Sequence, residues 1–221
     1  MPSLIAFISG TALLGWLLTR RPRPRPVPRR LLWGRQRAQL PDEGYGLLFH
    51  RRYWVDIDRP KLSPKALMDR VQCDVGAFCP RLLADFQKSR GHPSRMQPGD
   101  EYQIAILGPW NGAVRVIESS PTSFTFVTLK GHPEAGQITF SVRRHPTRPR
   151  ALRFEIRSWA RSRDMLVSLG YHEGKIGKEI QKNAWVAFCQ RVAEASGGTI
   201  IGEVQVATEE LDEQGEVVPV V

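Results

Sequence analysis

Cysteine is scarce: Cys73, Cys79 and Cys189 are the whole complement. Three thiols are too few for a disulfide framework, and an odd count points to a reducing compartment. No C-x-x-C is present and no histidine stands beside a cysteine pair, so no structural zinc pattern forms. The chain also lacks a phosphate-cradling glycine loop, a G-x-S-x-G elbow and an H-E-x-x-H motif. There is no glycine period, heptad array or solenoid repeat. These absences remove the common nucleotide-binding, serine-hydrolase and zinc-protease classes. They imply no cofactor and supply no metal ligand set. Charge of one sign is missing at each end: the first forty residues hold eight arginines and no acid, and residues 199–221 hold six acids and no base.

What is present is 221 residues, 41% of them hydrophobic, with a net charge of +10. That fits one globular domain with compositionally distinct tails.

Residues 1–19 carry no charge, and Leu4 to Leu18 reads LIAFISGTALLGWLL. As a helix, nineteen residues reach about 28 Å, close to the roughly 30 Å hydrocarbon core of a bilayer. Six arginines follow between Arg20 and Arg30, and none precedes. That asymmetry reads as a transmembrane anchor with its following segment in the cytoplasm, rather than a cleaved signal peptide, which needs a basic segment first. Trp16 suits the interfacial aromatic belt. The alternating Arg-Pro run from Arg21 to Pro28 cannot be helix interior and reads as an extended stalk, so residues 20–44 are taken as a linker. Its arginines either rest on anionic head groups or only fix topology. Beside such a span, nucleic acid is disfavoured as a partner. The expected location is a single-pass membrane protein with its main domain, residues 45–198, in the cytoplasm.

Leu47 to Asp58 reads as a strand. Ser63-Pro64 opens a helix, Asp74 caps a second short one, and Leu82, Leu83 and Phe86 follow Pro80 at helical spacing. Ser89 to Gly99 reads as a loop. From Asp100 the period becomes two, through Tyr102, Ile104 and Ile106, a turn at Gly108 to Gly112 marked by Asn111-Gly112, and then Val114 and Val116. Phe124, Phe126 and Thr128 share a further strand face. Ile138, Phe140 and Val142 alternate next, and Leu152, Phe154 and Ile156 last. This is an antiparallel meander. Ile176, Ile180, Ala184, Phe188 and Val192 then step by four along one helix, which Gly197-Gly198 stops. Lys175, Lys178 and Lys182 fall on its other side. Thr199 to Val206 could add an edge strand, and the acidic tail over 199–221 is expected to be largely disordered. The expected class is α+β: a curved antiparallel sheet around a long C-terminal helix.

That element order resembles the helix-grip fold of the START-like superfamily, also called SRPBCC. The segment Phe126, Thr128-Leu129-Lys130-Gly131-His132-Pro133-Glu134-Ala135-Gly136-Gln137 and Phe140 resembles one uncharacterised family within it, domain of unknown function nineteen-ninety. Trp110 with Arg115-Val116, Phe154-Glu155-Ile156 through Ser158-Trp159, and Leu169-Gly170-Tyr171 with Gln181 follow in the expected order. Lys130 stands where that family usually has proline, and Gln137 where it has glutamate. The resemblance implies a cavity between sheet and helix that takes lipids, hormones, polyketides or other apolar molecules, and it implies no established activity.

Two residues are candidates for chemistry. His132 and Glu134 sit in a turn between strands, where a histidine near a carboxylate can serve as a general base. They could equally hold the turn or contact a ligand at a gate. Arg115, Arg153 and Arg157 lie on strands and read as a solvated sheet face, with an anion contact as the alternative. Tyr102, Trp110, Phe126, Phe140, Phe154, Trp185 and Phe188 are the candidate ligand-binding residues, although a domain of this size needs aromatics for its core anyway. The leading expectation is a membrane-anchored domain that binds an apolar or lipid-like small molecule. A cyclase- or hydrolase-like enzyme using His132 and Glu134 is one alternative. A non-catalytic scaffold with a protein partner on the lysine face is the other.

Overall fold

A computed structural model describes residues 23–106, 111–164, 175–212 and 217–218, with residues 175–180 described by backbone alone. The proposed span over residues 1–19 lies outside the described residues. No helix among those described is long and apolar enough to cross a membrane.

One nine-stranded antiparallel sheet organises the chain. It is built from β1 (Tyr45–Asp58), β2 (Ala84–Arg90), β3 (Glu101–Ile106), β4 (Asn111–Ser120), β5 (Ser123–Thr128), β6 (Glu134–Arg144), β7 (Ala151–Ser162), β8 (Thr199–Ile200) and β9 (Gln205–Leu211). Its order is β2-β3-β4-β5-β6-β7-β1-β8, with β9 also pairing with β1. A short helix α1 (Arg29–Leu32) precedes the sheet. Helices α2 (Pro64–Cys73) and α3 (Val75–Phe78) follow β1, and the long helix α4 (Lys175–Ser196) follows β7. Ser63 caps α2 by accepting the N–H of Ala66, and Asp74 caps α3 by accepting that of Ala77, each satisfying one orphan donor of the first turn. Gly197, at φ +70°, ends α4.

Period-two alternation puts Val55, Ile57, Val116, Phe124, Phe126, Phe140, Phe154 and Ile156 on one face, all essentially inaccessible. α4 lies on that face. Phe188 stacks on Phe154 at 5.8 Å and sits 5.3 Å from Phe140, and α2 and α3 close the same core with Leu67, Met68, Val71 and Phe78. The architecture is the expected one, a mostly antiparallel sheet gripping a C-terminal helix.

Four expectations need correction. Leu82, Leu83 and Phe86 do not lie on a helix. Leu83 and Ala84 bond back to the carbonyl of Pro80 as a single turn, after which Ala84 and Phe86 follow strand period in β2. Asn111-Gly112 is no turn tip but the start of β4, opposite Ala105 and Ile104. The acidic tail is ordered over Gln205–Leu211, where β9 pairs along β1 from Trp54 to Leu48. Finally, the segment read as a linker packs on the sheet's outer face. Leu31 and Ala38 are buried there against Ile117 and Val127. Arg25 gives its N–H to Gln137 Oε1 at 3.0 Å, and Gln137 Nε2 donates to the Arg25 carbonyl at 2.7 Å.

Candidate functional site

The core is filled around Phe188 of α4 and hollow beside Gln181 and Ala184. Around Phe188 the phenylalanines fill the interior. Toward Gln181 and Ala184 the side chains shrink, and β6 and β7 bring Gly136 opposite Ala160. A cavity of about 80 Å³ remains there. Phe126, Ile138, Ala160 and Trp185 are among its apolar walls, and Thr128, His132, Glu134 and Gln181 form its polar end.

The polar end is built on the β5–β6 connection. Gly131, at φ +100°, makes the turn, a backbone region that favours glycine. Gln39, from the packed N-terminal segment, holds it: its amide donates to the carbonyls of His132 at 3.1 Å and Glu134 at 3.0 Å and accepts the Gly131 N–H. The His132 ring is buried, and its Nδ1 lies 3.0 Å from the Glu134 nitrogen and 3.1 Å from the Glu134 carbonyl oxygen. It accepts from the first in one tautomer and donates to the second in the other, and for Nε2 the described residues provide no hydrogen-bond partner. Burial pushes the His132 pKa below the ordinary histidine value against the opposing pull of Glu134, and nearby Arg163 lowers it further. The ring is therefore neutral at physiological pH. The space it occupies exists because residue 112 is glycine: a Cβ there would come within 2.2 Å of the ring.

Glu134 points to the same end, with both oxygens engaged. Arg51 Nη1 donates to one at 3.0 Å, and Gln181 Nε2 from α4 donates to the other at 3.0 Å. Arg51 is itself buried, on the inner face of β1. The carboxylate thus ties strand β1 to strand β6 and helix α4. His132 and Glu134 both line the cavity, yet their side chains do not bond to each other, and a general-base dyad is not assembled. Among the described residues no group of three or more His, Cys, Asp or Glu side chains is placed to hold a metal ion.

Of the aromatic candidates, Phe126 and Trp185 line the hollow. Phe140, Phe154 and Phe188 belong to the filled core. Tyr102 is buried beside Lys88, whose ammonium sits 5.3 Å from its ring. Trp110 lies outside the described residues. Lys182 is exposed on α4, and the side chains of Lys175 and Lys178 lie outside the described residues. Arg51, Thr128 and Gln181 were not singled out as site residues by sequence. The signal available for the hollow itself was the trio Gly136, Ala160 and Ala184, small residues on elements that face one another.

The three strand arginines divide. Arg153 makes a two-pronged pair with Asp56 at 2.6 and 2.7 Å, and Arg157 and Arg52 each bond Glu155 at 2.8 Å. Burial opposes ionisation of both carboxylates, but these arginines outweigh it and hold both pKa values below the ordinary range. Arg115 corrects the expectation of a solvated face. It is 2% exposed, bonded to Glu101 through Nε and Nη2, and donates to the carbonyls of Leu31 and Gln36 at 2.8 Å each.

No curated protein matches the chain. Among solved structures, it is similar to a hypothetical protein from Helicobacter pylori at 7% identity and a TM-score of 0.49, over 80% of this chain and 98% of that one. It is similar to norcoclaurine synthase from Thalictrum flavum, solved in complex with dopamine and hydroxybenzaldehyde, at 8% identity and a TM-score of 0.44, over 67% and 88%. A conserved protein from Geobacillus kaustophilus is similar at 9% identity and a TM-score of 0.43, over 66% and 96%. The family model described as "Domain of unknown function (DUF1990)" matches residues 80–196, more than half of the chain, and the chain belongs to that family.

Proposed function

We propose that the protein binds a compact amphipathic molecule in the hollow between the sheet and α4, and that residues 1–19 hold it in a bilayer with its domain on the cytoplasmic side. The observation that carries the binding reading is the combination of an apolar cavity with one polar end, the usual make-up of a small-molecule site. His132 supplies the orienting group there. We take the tautomer in which Nδ1 accepts the Glu134 N–H and Nε2 carries the proton; it offers a donor, so the guest carries a hydrogen-bond acceptor such as a carbonyl.

Size narrows the class. At about 80 Å³, the hollow is smaller than the roughly 150 Å³ apolar cavity that takes up benzene. A whole lipid exceeds the space bounded by the described residues, and even a ring-sized guest must displace a wall. Trp185, Phe86 and Ile138 are half-buried walls. Engagement of both Glu134 oxygens supports binding over hydrolase or cyclase chemistry, because each oxygen is already taken by a donor, from Arg51 or from Gln181.

The test is nitrogen-edited NMR of the full chain titrated with cyclopentanone and with cyclopentane. The ketone is expected to shift the amides of Phe126, Ile138 and Ala184 and to bind more tightly than the hydrocarbon. Ala184→Leu, which fills the hollow, is expected to abolish both effects. Unchanged spectra, or equal binding by Ala184→Leu, would remove the proposal.

A further inference from the structure

Resting on the reading of residues 1–19 as a bilayer anchor, we infer that the loop Leu32 to Arg37 is a second membrane contact, which lays the domain against anionic lipid head groups. Trp33 is 66% exposed, an unusual position for the side chain with the largest apolar surface. Arginines surround it in the chain: Arg29, Arg30, Arg35 and Arg37 are all exposed, and the Arg37 guanidinium lies 5.6 Å from the Trp33 ring. Arg37 pairs with Glu43 and, further along, Arg25 pairs with Glu118. Arg23, Arg29, Arg30 and Arg35 have no carboxylate in ion-pair range among the described residues. An exposed indole amid unpaired guanidinium groups suits the interface, where the ring sits at head-group level and the charges meet anionic lipid.

The loop is held rigidly enough to orient the body behind it. Ala38 N–H bonds the carbonyl of Leu32 at 2.9 Å and closes its neck. Arg115 grips the carbonyls of Leu31 and Gln36 from below. Leu31 and Ala38 pack into the outer-face cluster.

Chain length brings the bilayer within reach. Arg25 is already bound on both its N–H and its carbonyl by Gln137, and it stands only six positions along the chain from Thr19. Fully extended, six residues span no more than roughly 20 Å. The outer face of β6 is therefore kept close to the point where the apolar stretch ends. That proximity favours a bilayer over nucleic acid as the occupant of the basic loop.

The experiment places the full chain in vesicles of phosphatidylcholine alone or mixed with phosphatidylglycerol, each with bromine-labelled acyl chains. Trp33→Phe isolates the signal of one of six tryptophans. In anionic vesicles the wild type is expected to show quenching that Trp33→Phe lacks. Neutral vesicles, or about 1 M salt, where the Debye length is about 3 Å, are expected to remove that difference. Changing Arg29, Arg30 and Arg35 together to Gln is expected to remove it too. Equal quenching of wild type and Trp33→Phe in anionic vesicles overturns the inference. So does a salt-sensitive mobility shift of a DNA duplex by the arginine loop with no lipid quenching. Resistance to alkaline carbonate extraction from the neutral vesicles reports on residues 1–19 alone, so failure of the anchor and failure of the loop give different results.

Discussion

Arg115→Leu tests how the N-terminal segment is held. Glu101 is 6% exposed, and Arg115 approaches it at 3.0 Å through Nε and 2.6 Å through Nη2. Removing one partner of a buried pair leaves the other charge uncompensated, at a cost of about 3–5 kcal/mol. Arg90 stands 3.8 Å from the same carboxylate but is itself exposed, so its compensation is partial, and the lower part of that range is expected. The orphaned carbonyls of Leu31 and Gln36 add little, because a segment that swings away regains water. Against a typical domain stability of about 5–15 kcal/mol the loss is easily read by urea unfolding of the full chain. Glu101→Leu added to Arg115→Leu is expected to recover most of it, since an apolar pair of similar volume can replace buried ions. Hydrogen exchange at Leu31 and Ala38 should remain fast in the double variant, because nothing there restores the grip on the segment. A loss below about 1 kcal/mol, or a double variant no more stable than the single one, would refute the reasoning.

Acidification should act through histidine before it acts through carboxylates. Burial lowers the pKa of His50, with Glu209 opposing it, and likewise that of His132. A histidine whose folded pKa is depressed binds fewer protons folded than unfolded, so stability falls as pH drops from above about 6.5, by at most about 1.4 kcal/mol per pH unit for each group. Thermal unfolding of the full chain between neutral and mildly acidic pH should show that decline, with His132→Asn flattening part of it. Asp56 and Glu155 have depressed values, so their contribution is lost only at lower pH, below the ordinary carboxylate range. Gly112→Ala drives a methyl into the His132 ring and should cost on the order of 1–3 kcal/mol, together with the cyclopentanone response. Thiol titration at mildly alkaline pH should count one reactive cysteine in the native chain and three after unfolding. Cys73 is exposed, whereas burial pushes Cys79 up to about 12 and Cys189 upward as well.

Local signals were legible because local physics writes them. The Ser63 and Asp74 caps, the alternation through Phe124, Phe126 and Thr128, and the glycine stop after α4 each depend on residues a few positions apart. The N-terminal segment depends on partners such as Arg115 and Gln137, some 80 to 110 residues away. Its arginines and prolines carry no mark of that docking, and composition alone makes it look like a stalk. β9 was hidden for a related reason. Glu209 and Glu210 read as a solvated tail, yet Glu209 bonds the buried His50 ring at 2.9 Å and its strand covers β1. Of the aromatic residues, Phe126 and Trp185 border the hollow, while Phe140, Phe154 and Phe188 mark the filled part of the interior: bulk fills space, and the hollow lies where bulk is missing, between Gly136, Ala160 and Ala184.

The two-way bond between Gln137 and the backbone of Arg25 has a mechanical consequence. A pull on the chain from the N-terminal side of Arg25 is borne first by that amide, then by the guanidinium under Leu31 and Gln36, before any rung of the strand ladder is loaded. A carboxylate at position 137 could receive the Arg25 N–H but could not return a bond to its carbonyl. The segment would then peel away under a lighter pull, while the rest of the sheet stayed intact.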